Sequence, residues 1–403
     1  VPQTVEAGEK LFAITIGGVS YGFRNSAASV TYAAGKQTDV TINIKKKTPA
    51  GEYELTLGDI KIADWTEDRN THGGEARQYF VVNLTEAGTL GKVIRSFKKN
   101  PDKIRNLKVS GPITTEDFYF MRDSMAILEA INLKEAKVVN AEYQKSAFSS
   151  TVTKDDVIPN SAFYRKGTLY YFVFPETIKQ IGQYAFYKTN LSGALVLPDD
   201  VDTIGEYAFS EIGVTSITFS KELRYIGDGA FHMANAISSG LSFPEKLEYI
   251  GSRAFESCKI SGKLELPNSV SYIGSSAFEW NSFTGDLRIP DCVTKLYGGT
   301  FHNAGFSGGR LDLNNVTSFD AETGNYDVSG IFAECKFSGE VVIPNGVDCI
   351  PTYAFNQSLI SSIILPESIK KICFKAFFEC PRLENVVFPE GLVSIKSKAF
   401  EDC

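Results

Sequence analysis

Side chains that commonly perform enzyme chemistry are scarce in this chain of 403 residues, whose three histidines are His72, His232 and His302. Histidine is the usual general acid or base near neutral pH and a frequent metal ligand. The sequence contains no nucleophile elbow, phosphate-binding loop or dinucleotide-binding glycine motif. Its scattered carboxylates nominate no glycosidase pair. We therefore expect a protein that is not an enzyme and that holds no cofactor and no metal.

Seven cysteines lie at or after Cys258, and none has the CxxC spacing of a zinc site. Four of them fall three residues after a phenylalanine that recurs along the chain. A small, soft side chain suits a buried position that repeats, so we favour free buried thiols. A disulfide between Cys380 and Cys403 is the alternative, because these two lie on adjacent repeats. The four are Cys258, Cys335, Cys380 and Cys403.

An internal repeat positions these residues. Its unit reads h-x-h-P-x-x-h-x-x-I-G-x-x-A-F, where h is apolar, and the final Phe returns every 22 to 24 residues with one spacing of 31. A unit of this length cannot bury its apolar face alone, but stacked copies can. The recurring residues are Phe163, Phe186, Phe209, Phe231, Phe255, Phe278, Phe301, Phe332, Phe355, Phe377 and Phe400.

Each position of the unit has a physical reason. The h-x-h segment alternates as a short strand does, and proline ends the strand because it cannot donate to the ladder. We expect glycine where the chain turns tightly, alanine where neighbouring coils approach, and phenylalanine in the core between them. The predicted fold class is α+β with mostly β structure. Its main part is a right-handed solenoid of about 23-residue units.

One clean copy of the unit, LELPNSVSYIGSSAF at 264–278, resembles the BspA-like leucine-rich repeat. The resemblance covers about residues 104–403. It implies a curved solenoid, a cell-surface or secreted location, and adhesion or ligand binding, without a particular ligand.

Residues 1–85 lack this period and predict a small, sandwich-like all-β domain. Its predicted strands are Leu11–Ile16, Thr38–Ile44, Tyr53–Leu57 and Gln78–Leu84. Short segments in order along this part resemble one piece of the fimbrillin-like domains of Bacteroidetes surface and pilus proteins. They are PQTV at 2–5, GGVSY at 17–21, AGK at 34–36, VTINI at 40–44 and IADW at 62–65.

Residues 86–140 predict a helical linker and the cap of the solenoid, which then runs over 141–403. Helical spacing is found at 89–99 and 115–125. The first predicted helix places on one side Leu90, Val93, Ile94 and Phe97.

Charge argues against nucleic acid as a partner, because the net charge is -7. Basic residues crowd the stretch 92–108, where a solvated helix face is favoured over contact with an anionic glycan or a membrane.

The spacing of 31 between two repeat phenylalanines marks an insertion that should bulge from the solenoid without breaking the stack. Its carboxylates Asp320, Glu322 and Asp327 match no calcium loop, and a solvated acidic loop is favoured.

The outward residue of h-x-h should form a ladder along one face of the solenoid. Its centre is polar, with Glu265 and Arg288 placed to pair across rungs. Its C-terminal end exposes Val342, Ile364 and Val387 in succession. An exposed apolar stripe can mark a partner site, although β-propensity alone explains such residues as well.

A second ladder precedes the repeat Ile and contains Tyr225, Tyr249 and Tyr272 on consecutive rungs. Stacked tyrosines can bind a sugar or peptide, or can stabilise the ladder by stacking on each other.

The favoured function is a bacterial adhesion or ligand-binding protein, located at the cell surface or secreted, that recognises an extracellular protein or glycan through the solenoid. The alternative is a pilus-related structural protein that assembles by strand addition through the N-terminal domain. The chain starts at Val1, so we expect membrane attachment only through an N-terminal anchor that has been removed.

Overall fold

A computed structural model describes residues 79–140, 154–238, 240–320 and 330–403, and the backbone of several strands outside these ranges. The chain divides into two compact units, Val1–Gly74 and Glu75–Cys403.

The described backbone of the first unit forms antiparallel strand pairs, β1 with β4, β2 with β3, and β5 with β6. Three of the predicted strands fall within β2, β5 and β6. The predicted sandwich, its fimbrillin-like character and the pilus alternative depend on side chains outside the described residues and stay predictions. The strands are β1 Gln3–Glu6, β2 Lys10–Ile16, β3 Val19–Arg24, β4 Ser29–Tyr32, β5 Lys36–Lys46 and β6 Tyr53–Asp64.

The second unit begins with an irregular cap of parallel strands and two short helices. β7 pairs in parallel with β8, so the strand predicted at Gln78–Leu84 belongs to this unit rather than to the N-terminal one. β8 pairs with β9, and β9 pairs with β14 of the first full repeat, which makes the cap continuous with the solenoid. The elements are β7 Phe80–Asn83, α1 Leu90–Ser96, a 3-10 turn at Pro101–Lys103, β8 Asn106–Ile113, α2 Thr115–Asp123, β9 Ala130–Asn132 and β10 Ala136–Val138.

Buried side chains hold the cap together. Asp117, at the start of α2, accepts hydrogen bonds from the backbone N–H groups of Gly88 and Leu90, which ties the first turn of α1 to α2. Leu90 and Ile94 are buried as predicted, but Phe97 is mostly exposed. α1 ends at Ser96, three residues before the predicted end, so Phe97 lies just beyond the helix, where its ring meets that of Phe80 edge-on at 6.0 Å.

The repeats form a mostly β, right-handed solenoid of about 13 turns. Parallel two-residue strands that contain the repeat Ile run from β13 through β15, β17, β19, β20 and β22 in one sheet. The h-x-h strands also pair in parallel from rung to rung, in several separate short sheets. The strands are β11 Ala141–Ser146, β12 Ser149–Thr153, β13 Val157–Ile158, β14 Tyr171–Val173, β15 Gln180–Ile181, β16 Ser192–Val196, β17 Thr203–Ile204, β18 Gly213–Thr218, β19 Tyr225–Ile226, β20 Tyr249–Ile250, β21 Ser261–Gly262, β22 Tyr272–Ile273, β23 Ser282–Thr284, β24 Leu287–Arg288, β25 Lys295–Leu296, β26 Gly305–Ser307, β27 Leu311–Asp312, β28 Ser318–Phe319, β29 Ser338–Val342, β30 Cys349–Ile350, β31 Leu359–Ile364, β32 Lys371–Ile372, β33 Asn385–Val387 and β34 Ser394–Ile395.

The repeat phenylalanines form a continuous column, as predicted. Phe186 and Phe209 lie 5.2 Å apart, centre to centre, with their planes 5° from parallel. The insertion does not interrupt the column, because Phe301 and Phe332 stack at 5.6 Å and 2°. Most of the insertion lies outside the described residues. The column therefore contributes one aromatic ring per rung, and further buried phenylalanines such as Phe283, Phe306 and Phe337 pack beside it.

The repeat glycine has a different role from the one expected. Gly251 has no left-handed backbone, but a Cβ there would lie 2.5 Å from the nitrogen of Asp228 and 2.6 Å from the carbonyl carbon of Gly227, on the preceding rung. Glycine is needed because two backbones approach closely, not because the chain turns tightly.

We expect Phe209→Ala to lower the free energy of unfolding by about 3–5 kcal/mol, since it removes a fully buried ring between two others. Urea unfolding followed by circular dichroism measures the change. Tyr170→Ala, which truncates a largely exposed ring, should cost less than about 1 kcal/mol. Equal losses in the two variants would contradict a core built on the column.

Gly251→Ala should destabilise by about 1–3 kcal/mol, because the preceding rung must move away from the new methyl group. The matched control is Gly167→Ala, where no atom lies within 4 Å of the added Cβ. Thermal melts of both variants test this, and a melting temperature of Gly251→Ala equal to that of the control would show that the rungs adjust freely.

Candidate functional site

Three tyrosines form one stack on the outside of the solenoid. The Tyr-Ile strands β19, β20 and β22 pair in register, so Tyr225 lies level with Tyr249 and Tyr249 with Tyr272. The isoleucine of each strand is buried, and the tyrosine before it therefore faces outward, partly exposed. The ring centres are 4.5 Å apart in both pairs, with planes 11° and 3° from parallel.

This stacking decides which parts of the tyrosines a ligand can reach. Both faces of Tyr249 are covered by its neighbours, so the ring presents its edge and hydroxyl. Tyr297 follows Tyr272 at 5.4 Å, tilted by 49°. Sequence reasoning missed Tyr297 because it stands at the glycine position of its repeat. The site is a row of ring edges and hydroxyls, not of open ring faces.

The hydroxyls of Tyr225, Tyr249 and Tyr272 stay protonated. Burial, followed by the nearby Asp228 carboxylate, raises the pKa of Tyr225 above its ordinary value. Burial and the adjacent tyrosines raise the pKa of Tyr249 further, and burial also raises that of Tyr272. Each hydroxyl can therefore donate a hydrogen bond at any pH near neutrality.

A second tyrosine cluster lies near the cap, and sequence reasoning missed it. Tyr164 and Tyr187 each follow a repeat Phe and stack at 5.2 Å. Tyr184 and Tyr207 each precede a repeat Phe by two residues and also stack at 5.2 Å. Their recurrence 23 residues apart was the sequence pattern that could have revealed them.

The predicted apolar stripe lies in register on β29, β31 and β33. Val342 is level with Ile364, and Ile364 with Val387. Their exposed fractions are 51%, 41% and 70%. The stripe is therefore a continuous outward row.

The predicted pairing of Glu265 with Arg288 is wrong. Among the described residues, Arg288 forms ion pairs with Asp291 at 2.7 Å and with Asp312 at 3.3 Å. Asp312 lies level with Arg288 on the following rung, since β24 and β27 pair in register. Arg288 therefore pairs within its own rung and with the following rung, while Glu265 lies level with Ser242.

The cysteines that follow a repeat Phe by three residues are free, as favoured. Each of these thiols donates to the carbonyl oxygen of the repeat Phe on the rung before. The Sγ–O distance is 2.9 Å from Cys258 to Phe231 and 3.1 Å from Cys380 to Phe355. The side-chain nitrogen of Asn281, at the same position of its own rung, donates to Phe255 at 2.9 Å. This position satisfies a buried carbonyl.

The side chains of Ser210, His232 and Glu256 follow a repeat Phe on three successive rungs. Ser210 Oγ lies 3.5 Å from His232 Nδ1, and His232 Nε2 lies 3.9 Å from Glu256 Oε1. Ser210 is fully buried, and its hydroxyl donates to the His232 carbonyl at 3.0 Å. A catalytic nucleophile must reach its substrate, so this group is structural.

His302 is held between two carboxylates on neighbouring rungs. Its Nδ1 lies 2.7 Å from Glu279 Oε1, and its Nε2 lies 3.6 Å from Glu334 Oε1. Burial lowers the pKa of His302, but the hydrogen bond and charge of Glu279 outweigh burial, so the net shift is upward. Trp280 donates to the same Glu279 oxygen at 3.0 Å and is half exposed.

Other predicted candidates lie apart from these groups. In the basic stretch of the cap, Arg105 pairs with Glu129, and Lys108 pairs with Glu135 at 2.6 Å. Asp320 pairs with Lys295 at 3.1 Å, while His72, Glu322 and Asp327 lie outside the described residues. Within the described ranges, no group of three His, Cys, Asp or Glu side chains could hold a metal ion. No helix in the same ranges is long and apolar enough to cross a bilayer.

We expect His302→Gln to be most destabilising, by about 1–3 kcal/mol, near pH 5.5, where a buried carboxylate loses a charged partner. Because the pKa of His302 is raised in the folded protein, the stability that its charge contributes is complete below pH 6.5, the ordinary value. This stability is lost as the pH rises through the pKa of the folded state. The lowered pKa of Glu279 makes its contribution present above 4.5 and lost in stronger acid. Urea unfolding at several pH values measures the profile.

His232→Gln is the control with the opposite sign. Burial and Arg253 lower the pKa of His232, so protonation of the native histidine costs stability as pH falls below its ordinary value of 6.5. Its replacement should become less harmful in acid, whereas that of His302 becomes more harmful between pH 7.5 and about 5.5. The same pH trend in both variants would refute the assignment.

A family model described as the BspA type leucine rich repeat region matches residues 156–284, 230–322 and 314–403, in six copies. A leucine-rich repeat protein from Bacteroides ovatus is similar over 90% of this chain and 91% of that chain, with 17% identity and a TM-score of 0.51, which shows a shared fold. No curated protein matches.

Two further solved structures have TM-scores too low to carry an argument. A leucine rich cell surface protein from Faecalibacterium prausnitzii is 19% identical over 66% of this chain and 84% of that chain, with a TM-score of 0.32. A leucine-rich repeat protein from Eubacterium ventriosum is 14% identical over 74% and 90%, with a TM-score of 0.34. The family model alone spans more than half of the chain. The chain therefore belongs to the BspA-type leucine-rich-repeat family.

Proposed function

We propose that this chain is a bacterial cell-surface or secreted protein that binds an extracellular protein or glycan through the outer ladders of its solenoid. Membership of the BspA-type family supports a binding or adhesion role, and that family is typically found at the cell surface. The matched model belongs to no catalytic family. The single observation that carries the proposal is the in-register stack of Tyr225, Tyr249 and Tyr272.

The tyrosine stack suits a ligand with repeated hydrogen-bonding groups, such as a glycan. Its ring centres recur every 4.5 Å, and its hydroxyls remain protonated and form hydrogen bonds along the row. The rings are already ordered by their neighbours, so binding costs little side-chain entropy. Sugars offer hydroxyls with which the phenol groups can form hydrogen bonds.

The apolar stripe suits a different class of ligand. Val342, Ile364 and Val387 provide neither donors nor acceptors in their side chains, and they lie on the other ladder, several rungs from the tyrosines. A row of exposed aliphatic side chains favours contact with an apolar segment of a protein. Substitution on each ladder can therefore separate a glycan ligand from a protein ligand.

A glycan array and a panel of host extracellular proteins, probed with the whole chain, test the proposal. We expect Tyr249→Ala to weaken a specific glycan signal about 10-fold or more, as loss of a central aromatic anchor does. Tyr249→Phe keeps the stack and removes one hydroxyl, so an intermediate loss assigns part of the affinity to hydrogen bonding. The glycan signal should not fall between pH 7 and about 9, since the hydroxyls stay protonated.

Two control variants make the result specific. Tyr170→Ala removes an exposed ring away from the stack and should leave the glycan signal unchanged. Ile364→Thr keeps a β-branched side chain but makes the stripe polar, so it should weaken only a protein signal. A specific glycan signal that survives Tyr249→Ala would sink the tyrosine site, and a protein signal indifferent to Ile364→Thr would sink the stripe.

A further inference from the structure

Three cysteines, Cys292, Cys349 and Cys373, lie outside the position that satisfies a Phe carbonyl, and the last two lie close together. Cys349 occupies the ladder position of the tyrosines, at the start of β30, and Cys373 stands at the glycine position of the next rung, directly after β32. β30 and β32 pair in parallel, with Cys349 level with Lys371 and Ile350 level with Ile372. The two cysteines are therefore on adjacent rungs.

Their sulfur atoms approach closely. Cys349 Sγ lies 3.3 Å from Cys373 Sγ, whereas a disulfide bond is about 2.05 Å long. Cys373 is buried, while Cys349 is partly exposed and can meet a small reagent. Cys380 and Cys403 also lie on adjacent rungs and contact each other, but each thiol donates to a different Phe carbonyl, at 3.1 Å and 3.0 Å.

We propose that Cys349 and Cys373 form a cross-rung disulfide when the protein meets a disulfide oxidant, such as oxidised glutathione. The Cys349 thiolate attacks one sulfur of the oxidant and releases one glutathione thiolate. The Cys373 thiolate then attacks the Cys349 sulfur of the mixed disulfide and releases the second. The two protein thiols lose two protons and two electrons, and the oxidant becomes two molecules of glutathione.

The bond would staple two successive rungs near the C-terminal part of the described solenoid. It would close a loop that contains one repeat, and such a loop restricts the unfolded chain more than the folded one. Burial and the neighbouring Cys373 raise the pKa of Cys349 to about 12, so its thiolate is scarce near neutral pH. Oxidation should therefore be slow at pH 7 and faster at pH 8.5 to 9.

The test uses the whole chain with Cys292→Ser, which removes an exposed thiol that could join two molecules. The native protein is incubated with oxidised glutathione at about pH 8.5, free thiols are alkylated, and a non-reducing digest is analysed by mass spectrometry. We expect a peptide pair joined through Cys349 and Cys373, lighter by two hydrogens than the sum of its parts. Cys380 and Cys403 should be recovered alkylated.

Cys373→Ser in the same background is the control for access. There Cys349 should carry glutathione as a mixed disulfide, because the resolving thiol is gone. If this variant is glutathionylated while the parent keeps Cys349 and Cys373 both alkylated, the proposal is overturned. A crosslink between Cys380 and Cys403 in place of the expected one would also overturn it.

Thermal unfolding tests the stapling. The oxidised parent should melt several degrees above its reduced form, and the Cys373→Ser variant should show no such rise. A crosslink that leaves the melting temperature unchanged would overturn the stapling role.

Discussion

The column of repeat phenylalanines is the interaction on which the rest of this solenoid depends. From Phe163 to Phe400, successive rings lie 5.1–5.7 Å apart. The backbone N–H of each donates to the carbonyl of the residue before the next, as from Phe186 to Ala208 at 2.8 Å. Ring and backbone together fix the rise per rung. Because each repeat touches only its neighbours, all remaining positions of the unit have the same spacing from rung to rung.

A single position of the unit therefore becomes a row with its own chemistry. The position before the repeat Ile carries stacked tyrosines on the central rungs and Cys349 further along. The position three residues after the repeat Phe must satisfy a buried carbonyl, and Cys258 and Asn281 do so with a thiol and an amide. The residue types in the buried rows are limited by the need to satisfy buried backbone groups, whereas the residue types in the outward rows differ from rung to rung. Ligand recognition in this family fold is best sought on the outward rows.

Sequence reasoning was most successful for positions whose side chains contact only the same position on the two neighbouring rungs. It located the eleven repeat phenylalanines, the tyrosine row and the apolar stripe, because identical spacing places side chains level with each other. It failed for Arg288, whose long side chain selects among several carboxylates within reach. It also missed the cluster around His302, since the three groups that meet there occupy two different positions of the unit.

The sequence by itself determined the period, the core residues and the outward rows, because these follow from spacing alone. The tertiary structure decided the backbone of the turns. Tyr184 and Lys188 adopt left-handed conformations, with φ of 55° and 54°, which their local preferences disfavour. Their N–H groups donate to the next rung, to Glu206 at 2.8 Å and Ser210 at 3.0 Å. Neighbouring rungs supply the hydrogen bonds that offset this strain, and no single unit contains them.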